Sequence, residues 1–170
     1  MADIDTALAA SRDAVEQMIR AGEQSGAAWS APRAPGKWSP SQVVEHIARG
    51  FDEAANVAAG RPSIPKPPAV VRFIGRFIGG FMFKRVLRKA TFPTGFKAHK
   101  AMNPASGPAT PAEGRIRLET AHQKFDEACR RVAAEGRPMT TGFGLVPVQD
   151  LVRFSEIHLR HHTKQMAARQ

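Results

Sequence analysis

The chain has 170 residues, 42% of them apolar, with 25 Lys/Arg against 15 Asp/Glu and a formal charge of +10. Such a length and composition suit one domain (1–170) with a real core, and no apolar run approaches the about 18 residues of a membrane span. The acidic start Met1-Ala2-Asp3-Ile4-Asp5 is unlike a secretory signal, and the single Cys129 suits a reducing compartment, so a cytoplasmic location is expected.

Taken in chain order, a first helix is expected from about Asp3 to about Gln24. Ile4, Leu8, Val15, Met18 and Ile19 recur there at three- and four-residue spacing, and Asp3 or Asp5 is placed to cap it. A loop with Trp29 and Trp38 follows; both tryptophans are expected to cover the open end of a bundle, with Trp38 the nearer to His46. The second helix has the clearest start: Ser39 as N-cap, Pro40 at the first helical position and Gln42 completing a capping box. Its apolar face is Val43, Val44, Ile47, Phe51, Ala54 and Ala58, and Gly60 with Pro62 ends it.

Residues 61–111 form a long crossover. Between Ala54 and Ala112 the sequence has ten Lys/Arg and no Asp or Glu, so the whole positive excess belongs to this segment and the rest balances at 15 against 15. A charge so localised speaks against a general nucleic-acid binder and for one anionic partner or surface. Val70 to Ala90 is expected to form one or two short helices, because Gly75, Gly79 and Gly80 weaken a basic, phenylalanine-rich helical pattern. Its phenylalanines are expected to pack on the bundle or in a dimer interface, with contact to a membrane surface as a lesser alternative. A loop then runs from Phe92 to Pro111. A third bundle helix spans about Ala112 to Glu135, with Ile116, Leu118, Ala121, Phe125, Cys129 and Val132 inward, and a fourth runs from about Val148 to the C-terminus. No stretch alternates with period two, so no sheet is assigned. The fold class is all-α: a four-helix bundle whose crossover lets the second and third bundle helices run parallel.

The chemistry concentrates on the last helix. At 100° per residue His161, His162, Gln165, Leu151 and Phe154 all lie within about 60° of His158, so three histidines share the inward arc with two apolar anchors. A His pair at i, i+4 puts two imidazoles at chelating distance on one face. His158 with His162 is that pair, and His161 is a three-residue alternative. Burying adjacent histidines without a ligand would cost desolvation for each. A third ligand could come from His46, at the rim of the second helix's apolar face, or from His122 beside Leu118, Phe125 and Cys129; spacing does not separate them. His99, in the loop, is the weakest candidate. Cys129 lies among apolar positions and is expected to be a core residue rather than a nucleophile.

The segment Pro35-Gly36-Lys37-Trp38-Ser39-Pro40-Ser41-Gln42-Val43-Val44-Glu45-His46-Ile47 resembles the "P-G-K-W-S-x-x-Q-V-x-x-H-L" signature of the DinB/YfiT-like superfamily. His158-Leu159-Arg160-His161-His162-Thr163-Lys164-Gln165 resembles its second motif, "H-x-x-H-H-x-x-Q", and Phe143-Gly144-Leu145 looks like the "F-G-x-L" of one branch of unknown function. The resemblance implies a four-helix bundle holding nickel or zinc through His46, His158 and His162, with His161, Gln165 and Trp38 lining the site. Ser39 would cap the second helix beside the metal. It further implies a metal-dependent enzyme that activates a low-molecular-weight thiol, as S-transferase or thiol-dependent isomerase, with a small-molecule substrate and a homodimer as candidate assembly. A hydrolase using metal-activated water is the alternative, although no inward carboxylate offers itself as base, and a non-enzymatic metal-binding role is the second. Arg72, Arg76, Arg85 and Arg88 are the candidates for holding an anionic substrate.

Overall fold

The computed structural model of the chain describes residues 3–64, 69–93 and 100–166, the stretch 69–77 by its backbone alone. Five α-helices follow in order: α1 (Ile4–Gln24), α2 (Pro40–Ala58), α3 (Ala69–Lys89), α4 (Pro111–Ala134) and α5 (Val148–Met166). Four of them, α1, α2, α4 and α5, enclose the core, and the fold is all-α.

Pairwise contacts set the directions of these helices. Along α1 and α5, Ile4 lies near Val148, Arg160 reaches Gln17 and Asp13, and Gly22 faces Met166, so the two helices run parallel. Glu45 and Asp52 of α2 pair in turn with Arg117 and Lys124 of α4, again a parallel pair, as the long crossover allows. Glu23, Ser11 and Asp5 of α1 meet Arg115, His122 and Arg130 in the reverse order, so α1 and α4 are antiparallel. Leu8, Met18, Leu118, Phe125, Val132, Val152 and Leu159 fill the space between.

The ends of the helices follow the sequence closely. Ser39 accepts from Gln42 N and the Gln42 side chain accepts from Ser39 N, completing the capping box of α2. Thr110 caps α4 by accepting from Glu113 N, with Pro111 at the first position. Asp3 holds the N-cap position of α1 without a side-chain cap bond.

The structure decides between two expectations for the crossover, corrects the expected absence of a sheet and separates the tryptophans. The crossover helix is one continuous element, and Gly79 has a packing reason: a Cβ there would stand 3.3 Å from Phe143 and 3.4 Å from the Gly142 carbonyl oxygen. The glycine that weakens the helix is what lets it lie on the 142–143 turn. A small hairpin also exists, β1 (Met139–Thr141) and β2 (Gly144–Val146), paired Met139 with Val146 and Thr141 with Gly144. Strands of three residues are too short to display an alternation that a sequence could reveal. Of the two tryptophans, Trp38 is the nearer to His46, as expected. Trp29 is buried between α1 and α4, where a Cβ on Gly114 would meet it at 2.6 Å, and only Trp38 stands at the histidines.

The phenylalanines of the crossover divide as well. Phe83 is buried and stacks on Phe154 at 4.9 Å, whereas Phe81 is exposed; the side chains of Phe73 and Phe77 lie outside the described residues. No helix among the described residues is long and apolar enough to cross a membrane.

Candidate metal centre

His46 comes from α2, and its position is fixed from the helix start. Beyond its role in the capping box, Gln42 donates from its amide to the Pro104 and Ala105 carbonyls, while Ser41 Oγ donates to the Pro108 carbonyl at 2.7 Å. These bonds strap the end of the crossover across the first turn of α2. The same strap presents the Met102 carbonyl, which accepts from His46 Nδ1–H at 2.8 Å. With the proton held on Nδ1, the Nε2 lone pair of His46 is free to face the bundle interior.

His158 and His162 are one turn apart on α5, with their Nε2 atoms 3.0 Å from each other. Gln165 lies a further turn along. Its Oε1 accepts from His162 Nδ1–H at 2.9 Å, and its amide nitrogen donates to His161 Nε2 at 2.9 Å. One amide thus sets the tautomer of His162 and secures His161 behind it. Side-chain donor atoms of His46, His158 and His162 all lie within 4.8 Å of one another, a group of three able to hold one metal ion.

Burial keeps these rings neutral. Loss of solvent is the main cause for each: it lowers the pKa of His46 despite the opposing Met102 carbonyl, and takes His162 down to about 3, helped by His46 and His161. For His158, burial and then the neighbouring His162, His46 and His161 push it well below its ordinary value. His161 is lowered too, by burial and then by Lys164. A divalent cation therefore does not have to displace charge from the cluster. Nitrogens about 2.0–2.1 Å from a single zinc ion stand roughly 3 Å or slightly more apart, so the His158–His162 spacing suits two ligands of one ion. Three neutral imidazoles with two tautomers fixed from behind match the donor chemistry of zinc, nickel or a similar ion.

Aromatic rings flank the cluster. Trp38 faces His46 at 4.7 Å and His162 at 6.1 Å, and Phe92 stacks on His158 at 4.9 Å with His161 at 5.5 Å. Behind Phe92 stand Phe154, Phe83 and Phe143 in mutual contact. Sequence reasoning missed both Phe92 and the Met102 carbonyl. Phe92 opens a Pro/Gly-rich loop with no motif around it, and a backbone carbonyl has no sequence signature at all.

The other candidates fall elsewhere. His122 is on α4, hydrogen-bonded to Ser11 at 3.0 Å and packed edge-on to Phe51, at the border of the core. Burial raises the Cys129 thiol to about 12, in keeping with a core residue. His99 and the side chains of Arg72 and Arg76 lie outside the described residues. Arg85 and Arg88 are exposed on α3, and no contact among the described residues joins them to the histidines. The carboxylates nearest in sequence are engaged: Glu45 with Arg49 and Arg117, Glu156 with Arg160.

The family model of the DinB superfamily matches residues 3–166. No curated protein and no solved structure matches the chain.

Proposed function

This chain belongs to the DinB superfamily, and from that premise we propose that it is a cytoplasmic metal-dependent enzyme whose His46, His158 and His162 hold one zinc or nickel ion. The proposed reaction is the activation of a low-molecular-weight thiol, for transfer to a small electrophile or for a thiol-dependent isomerisation. The observation that carries this reading is the convergence of three neutral imidazoles, two of them locked as Nδ1–H tautomers. When bound, such an ion supplies a Lewis acid that lowers the pKa of a thiol or water near neutrality.

The chain's own residues contribute orientation and dryness. Met102 and Gln165 keep the lone pairs of His46 and His162 aimed inward, and Trp38 and Phe92 shield the two sides of the cluster from water. Hydrolysis would want a carboxylate base beside the histidines. Glu45 and Glu156 are instead bound to arginines, which favours the thiol reading over the hydrolytic one.

Elemental analysis of the purified chain tests the centre: about one equivalent of a divalent transition metal is expected, lost in His162→Ala with the helical circular dichroism retained. A protein that carries no metal and binds none would sink the proposal. Metal-loaded protein that conjugates no thiol to any of a panel of electrophiles, yet hydrolyses amide or ester substrates, would move the assignment to a hydrolase. Inactivity in both assays would leave a metal-binding role without catalysis.

A further inference from the structure

The outer face of α3 clusters exposed cations with exposed apolar side chains. Several arginines elsewhere are tied down: Arg12, Arg49, Arg115, Arg117, Arg130 and Arg160 each pair with a carboxylate, whereas Arg20, Arg33, Arg61, Arg131 and Arg153 stand exposed and, among the described residues, singly. On α3, Lys84, Arg85, Arg88 and Lys89 are all exposed, and none pairs with a carboxylate among the described residues. Large apolar side chains stand exposed on the turns just before them, Ile78 at 62% and Phe81 at 64%. Leu145, at 61%, follows the hairpin turn that seats on Gly79 and Gly80.

The inward side of the helix accounts for this distribution. Phe83 and Val86 are buried against the bundle. At 100° per residue Ile78, Phe81, Arg85 and Arg88 fall within about 80° of one another, on the side opposite Phe83. Apolar groups followed within one or two turns by unpaired cations make this an amphipathic, basic helix face.

We propose that this face, Ile78 and Phe81 with Arg85 and Arg88, docks the protein on an anionic lipid bilayer. The two halves of the patch call for a partner with two properties, an apolar layer and a plane of negative charge above it, and the interface of an anionic membrane has both. A second copy of the chain does not fit, because a two-fold contact would set this unpaired cationic patch against its own image. Residues Ala54 to Ala112 contain no Asp or Glu to neutralise it. Nucleic acid would satisfy the cations but would leave Ile78 and Phe81 facing a phosphate backbone. Phe83, on the opposite side of the same helix, leads through Phe154 and Phe92 to His158, so α3 would stand between the membrane and the histidine cluster.

Vesicle co-sedimentation of the full chain tests the proposal. Vesicles of phosphatidylcholine with about one-third phosphatidylglycerol should pellet the protein at least about 10-fold better than pure phosphatidylcholine, and raised salt should reverse this. Ile78→Ser with Phe81→Ser, and separately Arg85→Gln with Arg88→Gln, should each lower pelleting by about 10-fold or more. Metal content and circular dichroism of the apolar pair of substitutions should match the parent, showing that the fold survives. Any of four results would overturn the proposal: no pelleting on anionic vesicles, equal pelleting on neutral ones, indifference to both sets of substitutions, or duplex DNA binding in place of vesicle binding. A concentration-dependent dimer that Phe81→Ser dissociates, in a protein that ignores vesicles, would assign the patch to self-association instead.

Discussion

His122 and His162 are both buried, both kept neutral mainly by burial, and both hydrogen-bonded to a polar side chain. They differ in which nitrogen is engaged and in what stands beyond the ring. The Nε2 of His122 is taken by Ser11, and Phe51 and Phe125 border its ring, so that nitrogen is satisfied locally. His162 is gripped from behind, at Nδ1 by Gln165, and its Nε2 points toward two further imidazoles. A buried histidine whose outer nitrogen is anchored while its inner nitrogen meets others of its kind is arranged for a ligand. One that ends on a serine is arranged for packing.

The largest break in that contrast comes from removing a donor. His158→Ala or His162→Ala should weaken zinc or nickel binding by at least about 100-fold, more than an outer-shell substitution typically costs. Isothermal titration of the stripped protein would measure it, and unaltered affinity would show that the cluster is not the binding site. Gln165→Ala should follow with about 10–100-fold, because it releases the tautomer and orientation of His162 without removing a donor. Retention of full affinity in that variant would mean the amide merely fills space.

Acid should separate the two environments further. The folded pKa values of His46, His122, His158, His161 and His162 lie below the ordinary 6.5. The unfolded chain therefore binds protons that the folded chain refuses, and stability is complete above about pH 6.5 and is lost as pH falls below it. For His162 the loss continues down to about pH 3, at about 1.4 kcal/mol per pH unit while the ring stays neutral in the fold. Urea unfolding of metal-free protein between pH 7 and pH 5 should show stability falling as the pH falls, the histidines contributing together, and His162→Ala should make the fall shallower. An unchanged slope would mean that His162 is protonated in the fold.

How much of this could be seen in the residues alone depends on the kind of interaction. The capping box of Ser39 and Gln42 and the one-turn spacing of His158 and His162 are local, so a helix period suffices to expose them. The choice between His46 and His122 is tertiary. Both border an apolar face on their own helices, and only the crossing of α2 with α5 brings His46 to the pair. The supports least visible in advance come from the crossover: Phe92 as a stacking ring, Met102 as a carbonyl acceptor, and Gly79 as a seat for the hairpin turn. Each depends on a loop finding its place on a finished bundle, and helix propensity reads Gly79 as a defect for the same reason.

The smallest effect should come from Ser11→Ala, which sharpens the contrast from the packing side. Ser11 is fully buried and provides the hydrogen bond to His122 Nε2, so its loss strands a polar ring nitrogen in the seam between α1 and α4. The expected cost is about 1 kcal/mol, the net worth of one such bond, with a ceiling near about 3 kcal/mol if the nitrogen finds no water. Metal affinity should not change, because no contact among the described residues joins Ser11 or His122 to the three-histidine cluster. Thermal denaturation with and without bound metal measures both at once: the midpoint should fall by a similar amount in each, leaving the increment due to metal intact. Were the increment to shrink, His122 would be coupled to the centre through α4, and the division between a packing histidine and a binding one would fail.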